Sequence, residues 1–308
     1  FTVSNMGSTD ASGITQTGLL SAHYSVDGAF PGAGGTCATT IPFGTSCTIG
    51  VEYNPTANGI HNDTIELTFN NGSNPAMTAT STVTGTAVDP ANLSIAGPDP
   101  LDMGDVPVGG QADTTFTISN TGTFDATSVV GTGLTTPFTF KDGAYPGTAG
   151  TCTATIVNGS PCTIVVSVNP TANGPISTNM LLNYFDGAAP ASTDVDIDAD
   201  GKDPALIEIS GPNPANFGLV PNTSTTVLTF TMTNNGEIEA TAVAGAGLNP
   251  PYDWDGIGFP GSGGPGSCLA TTLAAGASCT FEVEFAPTAL GIHSDVVEIN
   301  YNDGIVAR

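Results

Sequence analysis

A stretch of thirteen residues that begins with cysteine and ends with glycine occurs three times in the chain, at 47–59, 162–174 and 279–291. In the first copy Cys47, Ile49, Val51 and Tyr53 alternate with polar residues, and the other copies alternate in the same way. A period of two places these side chains on one face of a β-strand, which the following Pro and Gly end. Each copy therefore predicts one half-buried strand.

The stretch belongs to a longer repeat. FTVSNMG at Phe1, FTISNTG at Phe116 and FTMTNNG at Phe230 give periods of 115 and 114 residues. Such a period is too long for a solenoid unit of about 20–50 residues and suits a sandwich domain of roughly 100. The apolar runs are short and alternating, and 40 Gly and 23 Pro separate them. We predict an all-β protein of three tandem immunoglobulin-like β-sandwich domains.

The predicted domains are residues 1–88, 89–202 and 203–308. Counting strands outward from the cysteine stretch, we expect the first repeat to lack its first strand and the third its last. The linkers at 87–100 and 201–214 are short and rich in proline, which favours an extended rod of about 100 Å.

The unfinished outer repeats allow two explanations. The chain is an excerpt of a longer repetitive protein, or subunits complete one another head to tail, a strand of one filling the gap of the next. A sandwich without an edge strand exposes unpaired backbone and apolar surface, which is a template for strand addition.

The second repeat is predicted to contain all the strands of its domain. Its predicted strands cover 93–96, 102–108, 113–120, 126–133, 137–140, 176–184 and 193–199, with a hairpin over 151–168. Asn158 and Gly159 supply the tight turn of that hairpin, because Gly readily adopts a positive φ.

The six cysteines form one close pair in each repeat: Cys37–Cys47, Cys152–Cys162 and Cys268–Cys279. Zinc sites usually group their cysteines as C-x-x-C, a spacing absent here. Local disulfides are the better interpretation, and they predict an extracellular or cell-surface location.

The charge is strongly one-sided, with 28 acidic residues against 3 basic ones and a formal net charge of −25. Such a surface repels phosphate backbones and anionic lipid, so we expect no nucleic-acid partner. No apolar run approaches the roughly 20 residues of a membrane span, so we expect no membrane insertion within this segment. Cations, basic surfaces and neutral glycans remain as partners.

An acidic run at 194–203 begins like a calcium loop, with Asp196, Asp198 and Asp200 before a glycine. The twelfth position of such a loop holds Ile207 rather than Glu. The run also aligns with an alternating strand of the first repeat. A solvated strand face and a calcium site both remain open.

Glycine-rich loops at 28–35, 143–150 and 256–266 each carry one aromatic residue, namely Phe30, Tyr145 and Phe259, and Trp254 lies just before the third. These rings either cap their own sandwich or serve as contacts for sugars or proteins. A phosphate cradle is disfavoured because the loops lack a lysine and a following helix.

Catalysis is not expected. His61 and His293 occupy the same repeat position, where the second repeat has Ile176. No Ser or Cys has a local partner that would make it a nucleophile. We therefore predict that the protein is not an enzyme.

The string GTC, a turn, SCT or PCT, then V-x-F-x-P-T-x-x-G and a terminal ND or DG resembles the choice-of-anchor D repeats of bacterial surface proteins. Those repeats are similar to immunoglobulin-like domains of the ASPM, SPD-2 and hydin type. The most similar copy covers 268–303, and Val168 and Ala286 depart from the pattern. The resemblance implies a secreted or surface-attached protein of several domains, in a family without shared catalytic residues.

Together these patterns predict a structural extracellular protein, forming a stalk or a head-to-tail fibre with copies of itself or with further repeats. The alternative is a surface adhesin that binds a glycan or a protein of another cell through the glycine–aromatic loops, with or without calcium. No cofactor is expected apart from that calcium.

Overall fold

The computed structural model describes residues 1–74, 76–211, 213–256, 258–262, 267–268 and 271–308. Within these ranges the chain is built from β-strands, with one short 3₁₀ turn at Lys141–Gly143. The predicted loop at 256–266 lies partly outside them, at 257 and 263–266. No helix of the described part is long and apolar enough to cross a membrane.

The chain forms two compact units, of which the first comprises residues 1–91 and 122–124 and the second the remainder. The strands of the first repeat are β1 Thr2–Ser4, β2 Ala11–Gly18, β3 Tyr24–Val26, β4 Thr40–Ile41, β5 Ser46–Thr48, β6 Val51–Tyr53, β7 Gly59–Asn70 and β8 Met77–Ala87. Those of the second repeat are β9 Leu93–Ala96, β10 Leu101–Pro107, β11 Ala112–Asn120, β12 Ala126–Thr132, β13 Phe138–Phe140, β14 Thr155–Ile156, β15 Cys162–Val168, β16 Gly174–Phe185 and β17 Pro190–Lys202. Those of the third repeat are β18 Ile207–Ser210, β19 Thr226–Asn234, β20 Thr241–Ala246, β21 Tyr252–Trp254, β22 Ser278–Phe285 and β23 Glu298–Asn302.

The second repeat is a sandwich of two sheets, with strand orders β10-β17-β16-β12-β14 and β13-β15-β11-β9. Alternate residues of β11, β16 and β17 are buried, as the period of two predicts; examples are Phe116, Ile118 and Leu182. The prediction of a half-buried strand is wrong for β15, because Ile164 to Val168 are all buried. This arrangement confirms the predicted immunoglobulin-like sandwich. The domain boundaries themselves stay predictions.

Strand β17 closes the larger sheet of this repeat. It runs antiparallel to β16 along its full length and parallel to β10 on its other side. Its inward residues Val195, Ile197 and Ala199 are buried. Because β17 pairs on both edges, it satisfies the backbone groups of two neighbours and covers the core between them.

The prediction of a hairpin over 151–168 is wrong, because its two halves do not pair with each other as strands. Strand β14 pairs with β12 in one sheet, whereas β15 pairs with β11 and β13 in the other. The turn at Gly159 therefore crosses between the sheets. Only the backbone of Thr151 and Cys152 bonds across to Thr163, which brings Cys152 to its partner Cys162.

The first repeat has a main sheet in the order β4-β2-β7-β8, with two shorter pairs, β1-β5 and β3-β6. Its core contains Ile14, Ile41, Ile49, Ile65 and Leu67. Strand β8 pairs with β7 in the same way that β17 pairs with β16. In the described residues β8 is an edge strand, because it has no second neighbour in this sheet.

The third repeat contains the sheet β18-β19-β22-β21 and the pair β20-β23. Its core is aromatic, with Phe230, Trp254 and Phe281 buried. Residues 213–221 and 291–297 match β10 and the first half of β16, yet neither segment is a strand. The described part of this repeat thus has no counterpart of β17.

The second and third repeats share one compact unit, and polar groups are among their contacts. Asn173 of the second repeat donates a hydrogen bond to the carboxylate of Glu237. That carboxylate also accepts the backbone N–H of Asp203 at 3.1 Å. The linker between these repeats is therefore tied to both of them.

Candidate functional site

An open groove runs through the third repeat between the two segments that are not strands. Its volume is about 420 Å³, and its lining includes Ala215, Phe217, Tyr252, Phe281, His293 and Val297. The motif G-P-x-P at 211–214 matches that at 97–100, and Gly291 matches Gly174. The groove therefore lies in the place that β17 occupies in the second repeat.

The edges of this groove expose apolar side chains. Leu219, Ile292 and Val296 are 104%, 102% and 65% exposed. The second repeat has Asp105, Pro175 and Asn179 at these positions. Exposed apolar residues beside an unpaired strand edge favour contact with another polypeptide.

Aromatic rings stack beneath the groove. Tyr252 and Phe285 lie 4.7 Å apart at 28°, and His293 lies 5.8 Å from Phe285. The hydroxyl of Tyr252 donates to the carbonyl of His293 at 3.0 Å. This bond holds residue 293 in place although its segment has no strand partner.

A smaller cavity of about 280 Å³ lies in the first repeat, lined by Val3, Ile14, Ile41, Leu67 and Phe69 among others. It borders β1, which is equivalent in sequence to part of β11. In the second repeat β9 pairs with this part of β11. In the described residues of the first repeat, β1 pairs with β5 alone.

The three predicted disulfides are present, with Cys37, Cys152 and Cys268 each bonded to the cysteine ten or eleven residues later. All six cysteines are therefore bonded. The residues that begin each pair are 3–5% exposed, so the disulfides form part of the cores.

The aromatic residues of the glycine-rich loops pack within their own repeats. Phe30 lies against the core of the first repeat, and Tyr145 contacts Phe140 edge to face at 5.6 Å. Phe259 contacts Trp254 in the same manner at 5.1 Å, and Trp254 is 8% exposed. Phe30, Tyr145 and Phe259 are all half-buried, and whether they also serve as contacts stays a prediction.

The calcium candidates Asp196, Asp198 and Asp200 follow one another along the outer face of β17. Alternate residues of a strand are about 6.6 Å apart, too far to surround one ion without further ligands. Asp196 accepts a hydrogen bond from Asn179, and Asp200 pairs with Lys202 at 2.7 Å. No group of three or more His, Cys, Asp or Glu in the described residues is placed to hold a metal. Calcium binding stays a prediction.

The structure shows a pair of stacked histidines in the first repeat that the sequence patterns did not predict. His23 and His61 stack at 3.7 Å, and Nδ1 of His61 bonds the hydroxyl of Tyr53 at 2.8 Å. Partial burial, together with the nearby His23, lowers the pKa of His61. The repeat alignment finds His61 but not His23, because the other repeats have proline at that position.

Comparison with protein families shows what kind of domain this is. Residues 95–200 and 208–307 match the HYDIN/CFA65/VesB-like Ig-like domain. The chain belongs to this family. The match covers two separate stretches of one domain type, as expected for tandem repeats. A comparison with curated proteins finds no match.

Solved structures are similar only at a low level. The titin domains I67–I69 cover 96% of this chain and 85% of their own, at 9% identity and a TM-score of 0.33. A Porphyromonas gingivalis W83 protein of unknown function covers 64% of this chain and 87% of its own, at 15% identity and a TM-score of 0.29. The VesB protease of Vibrio cholerae covers 35% and 31%, at 19% identity and a TM-score of 0.27. These values carry no argument about function.

Proposed function

We propose that the protein is a structural component of the cell exterior, forming a stalk or a head-to-tail fibre in which a neighbouring polypeptide adds a strand to the third repeat. Disulfide-bonded Ig-like domains serve as structural or binding modules. The groove of the third repeat is the observation that favours a structural role, because it offers a place for an added strand. An added strand would pair with 291–297 and 213–221 and cover Phe217, Phe281 and Val297.

The disulfides support an oxidising location outside the cytoplasm. The resemblance to choice-of-anchor D repeats of bacterial surface proteins agrees with that location and remains part of the proposal. Adhesion through the glycine–aromatic loops is less well supported, because Phe30, Tyr145 and Phe259 pack into their own repeats.

The charge of the chain limits how such a fibre forms. Copies with a formal net charge of −25 repel one another, so non-specific aggregation is disfavoured. Strand addition supplies directional hydrogen bonds that overcome this repulsion at one site. Assembly should therefore strengthen as salt screens the repulsion.

Analytical ultracentrifugation of the 308-residue chain tests the proposal, with electron microscopy of the larger species. Val296→Lys adds a positive charge at the groove edge, and Val130→Lys adds the same charge on β12 of the second repeat. We expect linear particles for the unaltered chain and Val130→Lys, and their loss for Val296→Lys. A chain that stays monomeric at all concentrations and salt levels, or a Val296→Lys variant that assembles normally, contradicts the proposal.

A further inference from the structure

Two histidines of the first repeat join the turn before β3 to the start of β7. The rings of His23 and His61 stack with their centres 3.7 Å apart and an angle of 25° between their planes. The second repeat has neither histidine, and the third has His293 with Pro251 in place of His23. The stacked pair is therefore a feature of the first repeat alone.

His23 takes part in the contact between two loops. Its Nδ1 atom accepts a hydrogen bond from the backbone N–H of Thr56 at 3.3 Å, and its carbonyl oxygen accepts that of Asn54 at 2.9 Å. An imidazole nitrogen accepts a hydrogen bond only while it carries no proton. The neutral form of His23 thus holds loop 54–58, which follows β6, against the turn at 19–23.

His61 is held by two tyrosines. Its Nδ1 atom shares a hydrogen bond of 2.8 Å with the hydroxyl of Tyr53, and its carbonyl oxygen accepts a bond from the hydroxyl of Tyr24 at 2.8 Å. The tyrosines belong to β6 and β3, which pair with each other. Because these bonds fix both the ring and the backbone of His61, it cannot move away from His23 without breaking one of them.

One carboxylate lies near the pair. Asp63 follows His61 on the same face of β7, and it accepts the backbone N–H groups of Ser21 and Thr64, each at 2.7 Å. In the part of the chain that the structure describes, it bonds neither imidazole. Asp63 therefore anchors the turn at 19–23 and leaves the charge of the histidine pair unpaired.

The other elements packed here add no carboxylate to the inner face. Glu52 of β6 and Glu66 of β7 alternate with inward residues and lie on the outer faces of their strands. Strand β3 contributes only the phenol of Tyr24, and neither β8 nor loop 54–58 contains a titratable residue. A second positive charge in the stack therefore has no carboxylate to neutralise it.

Protonation acts on both rings. Burial and the neighbouring His23 lower the pKa of His61. Since the unfolded chain then binds a proton more readily than the folded one, this stabilisation is complete well above pH 6.5 and is lost as the pH falls through about 6.5. A proton on Nδ1 of His23 removes the bond from Thr56, and two imidazolium rings 3.7 Å apart repel each other.

We propose that the His23–His61 pair is an acid-sensitive clasp of the first repeat, which holds loop 54–58 to the turn at 19–23 while both rings are neutral and releases it in mild acid. The core of this repeat consists of aliphatic residues and a disulfide, which do not titrate in this range. The strands therefore persist while the loop opens. The clasp does not depend on strand addition in the third repeat.

Hydrogen exchange of the 308-residue chain at pH 7.5 and pH 5.5 tests the clasp. With rates corrected for the intrinsic effect of pH, we expect the protection of the Asn54 and Thr56 amides to fall at least ten-fold at the lower pH. The fall should shrink to less than two-fold in a double variant with His23→Gln and His61→Gln, because glutamine stays neutral. His293→Gln is the matched control and should respond like the unaltered chain. Equal protection at both pH values in the unaltered chain, or a full response in the double variant, overturns the proposal.

NMR titration separates the coupling of the two rings from the effect of burial. In His23→Gln we expect the pKa of His61, followed through the signal of its Cε1–H, to rise, because one of the two causes that lower it is absent. The amide of Thr56 should also lose most of its pH response in this variant, since the acceptor that titrates is gone. An unchanged pKa of His61 would show that the rings are not coupled and would overturn the clasp.

Discussion

The second and third repeats share one sequence pattern but differ at one edge. In the second, residues 174–185 form a single long strand between β17 and β12. In the third, the matching residues are strand only from Glu298 onward, where they pair with β20. Alternation alone does not make a strand. The neighbour that accepts its hydrogen bonds and covers its inner face decides where the strand begins.

The largest expected difference between these repeats concerns the inner face of this segment. Leu182 is fully buried, whereas Ile299 at the matching position is half-buried. Truncating a buried leucine costs about 2–5 kcal/mol because a cavity remains, and we expect about 1 kcal/mol for the more exposed isoleucine. Leu182→Ala and Ile299→Ala remove equal volumes, so the free energy of unfolding of each repeat, measured by hydrogen exchange, compares them directly. Equal losses of unfolding free energy would show that Ile299 is as well buried as Leu182, and would contradict this expectation.

Acid should remove the stabilisation from one ion pair of the second repeat that the third repeat lacks. Asp113 bonds Lys141 at 2.6 Å and accepts a hydrogen bond from Ser167, and these bonds lower its pKa to about 2. Since the pKa is lower in the folded than in the unfolded state, this stabilisation is complete above about pH 4 and is lost as the pH falls towards 2.

The partly exposed ion pair of Asp113 and Lys141 should contribute about 1 kcal/mol to the free energy of unfolding of the second repeat. Urea unfolding at pH 7 and pH 2.5 should show this loss in the unaltered second repeat and not in Asp113→Asn. The third repeat has Val227 in place of Asp113, but its own Asp295 and Asp303 have lowered pKa values, so Asp113→Asn is the control that isolates this pair. An identical acid response in the variant would assign the effect to other carboxylates.

The smallest effect concerns the capping rings. The hydroxyl of Tyr145 is buried without a hydrogen-bond partner, and burial raises its pKa to about 12. The other repeats have Phe30 and Phe259 in this place. Tyr145→Phe should therefore stabilise the second repeat by up to about 1 kcal/mol, read as a higher Tm, because no desolvated hydroxyl remains. A lower Tm would reveal a bond to that hydroxyl. Phe259→Tyr is the matched reverse change and should destabilise the third repeat.

Much of the fold could be predicted from the sequence. The thirteen-residue stretch indicated β15 and β22, because alternation and terminal Pro and Gly are local signals. The prediction of one strand is wrong for the first copy, which is divided into β5 and β6 in separate sheets. The domain period and the cysteine spacing likewise needed no knowledge of long-range packing.

The rest depends on contacts that the sequence does not show. The segment 151–168 reads as a hairpin, yet its halves join different sheets, since pairing with β12 and β11 outweighs the local turn. The His23–His61 stack brings together residues 38 positions apart, one in the turn before β3 and the other in β7.

Hydrogen exchange at residues 291–297, compared with 174–180, tests the central claim most directly. We predict that amides of 291–297 exchange at least 100-fold faster in the chain alone, since they have no strand partner. Saturating peptide 77–87 should bring them close to the protection of 174–180, with no change elsewhere in the second repeat. Strong protection without peptide, or no gain of protection when peptide is present, would contradict the view that this groove accepts a strand.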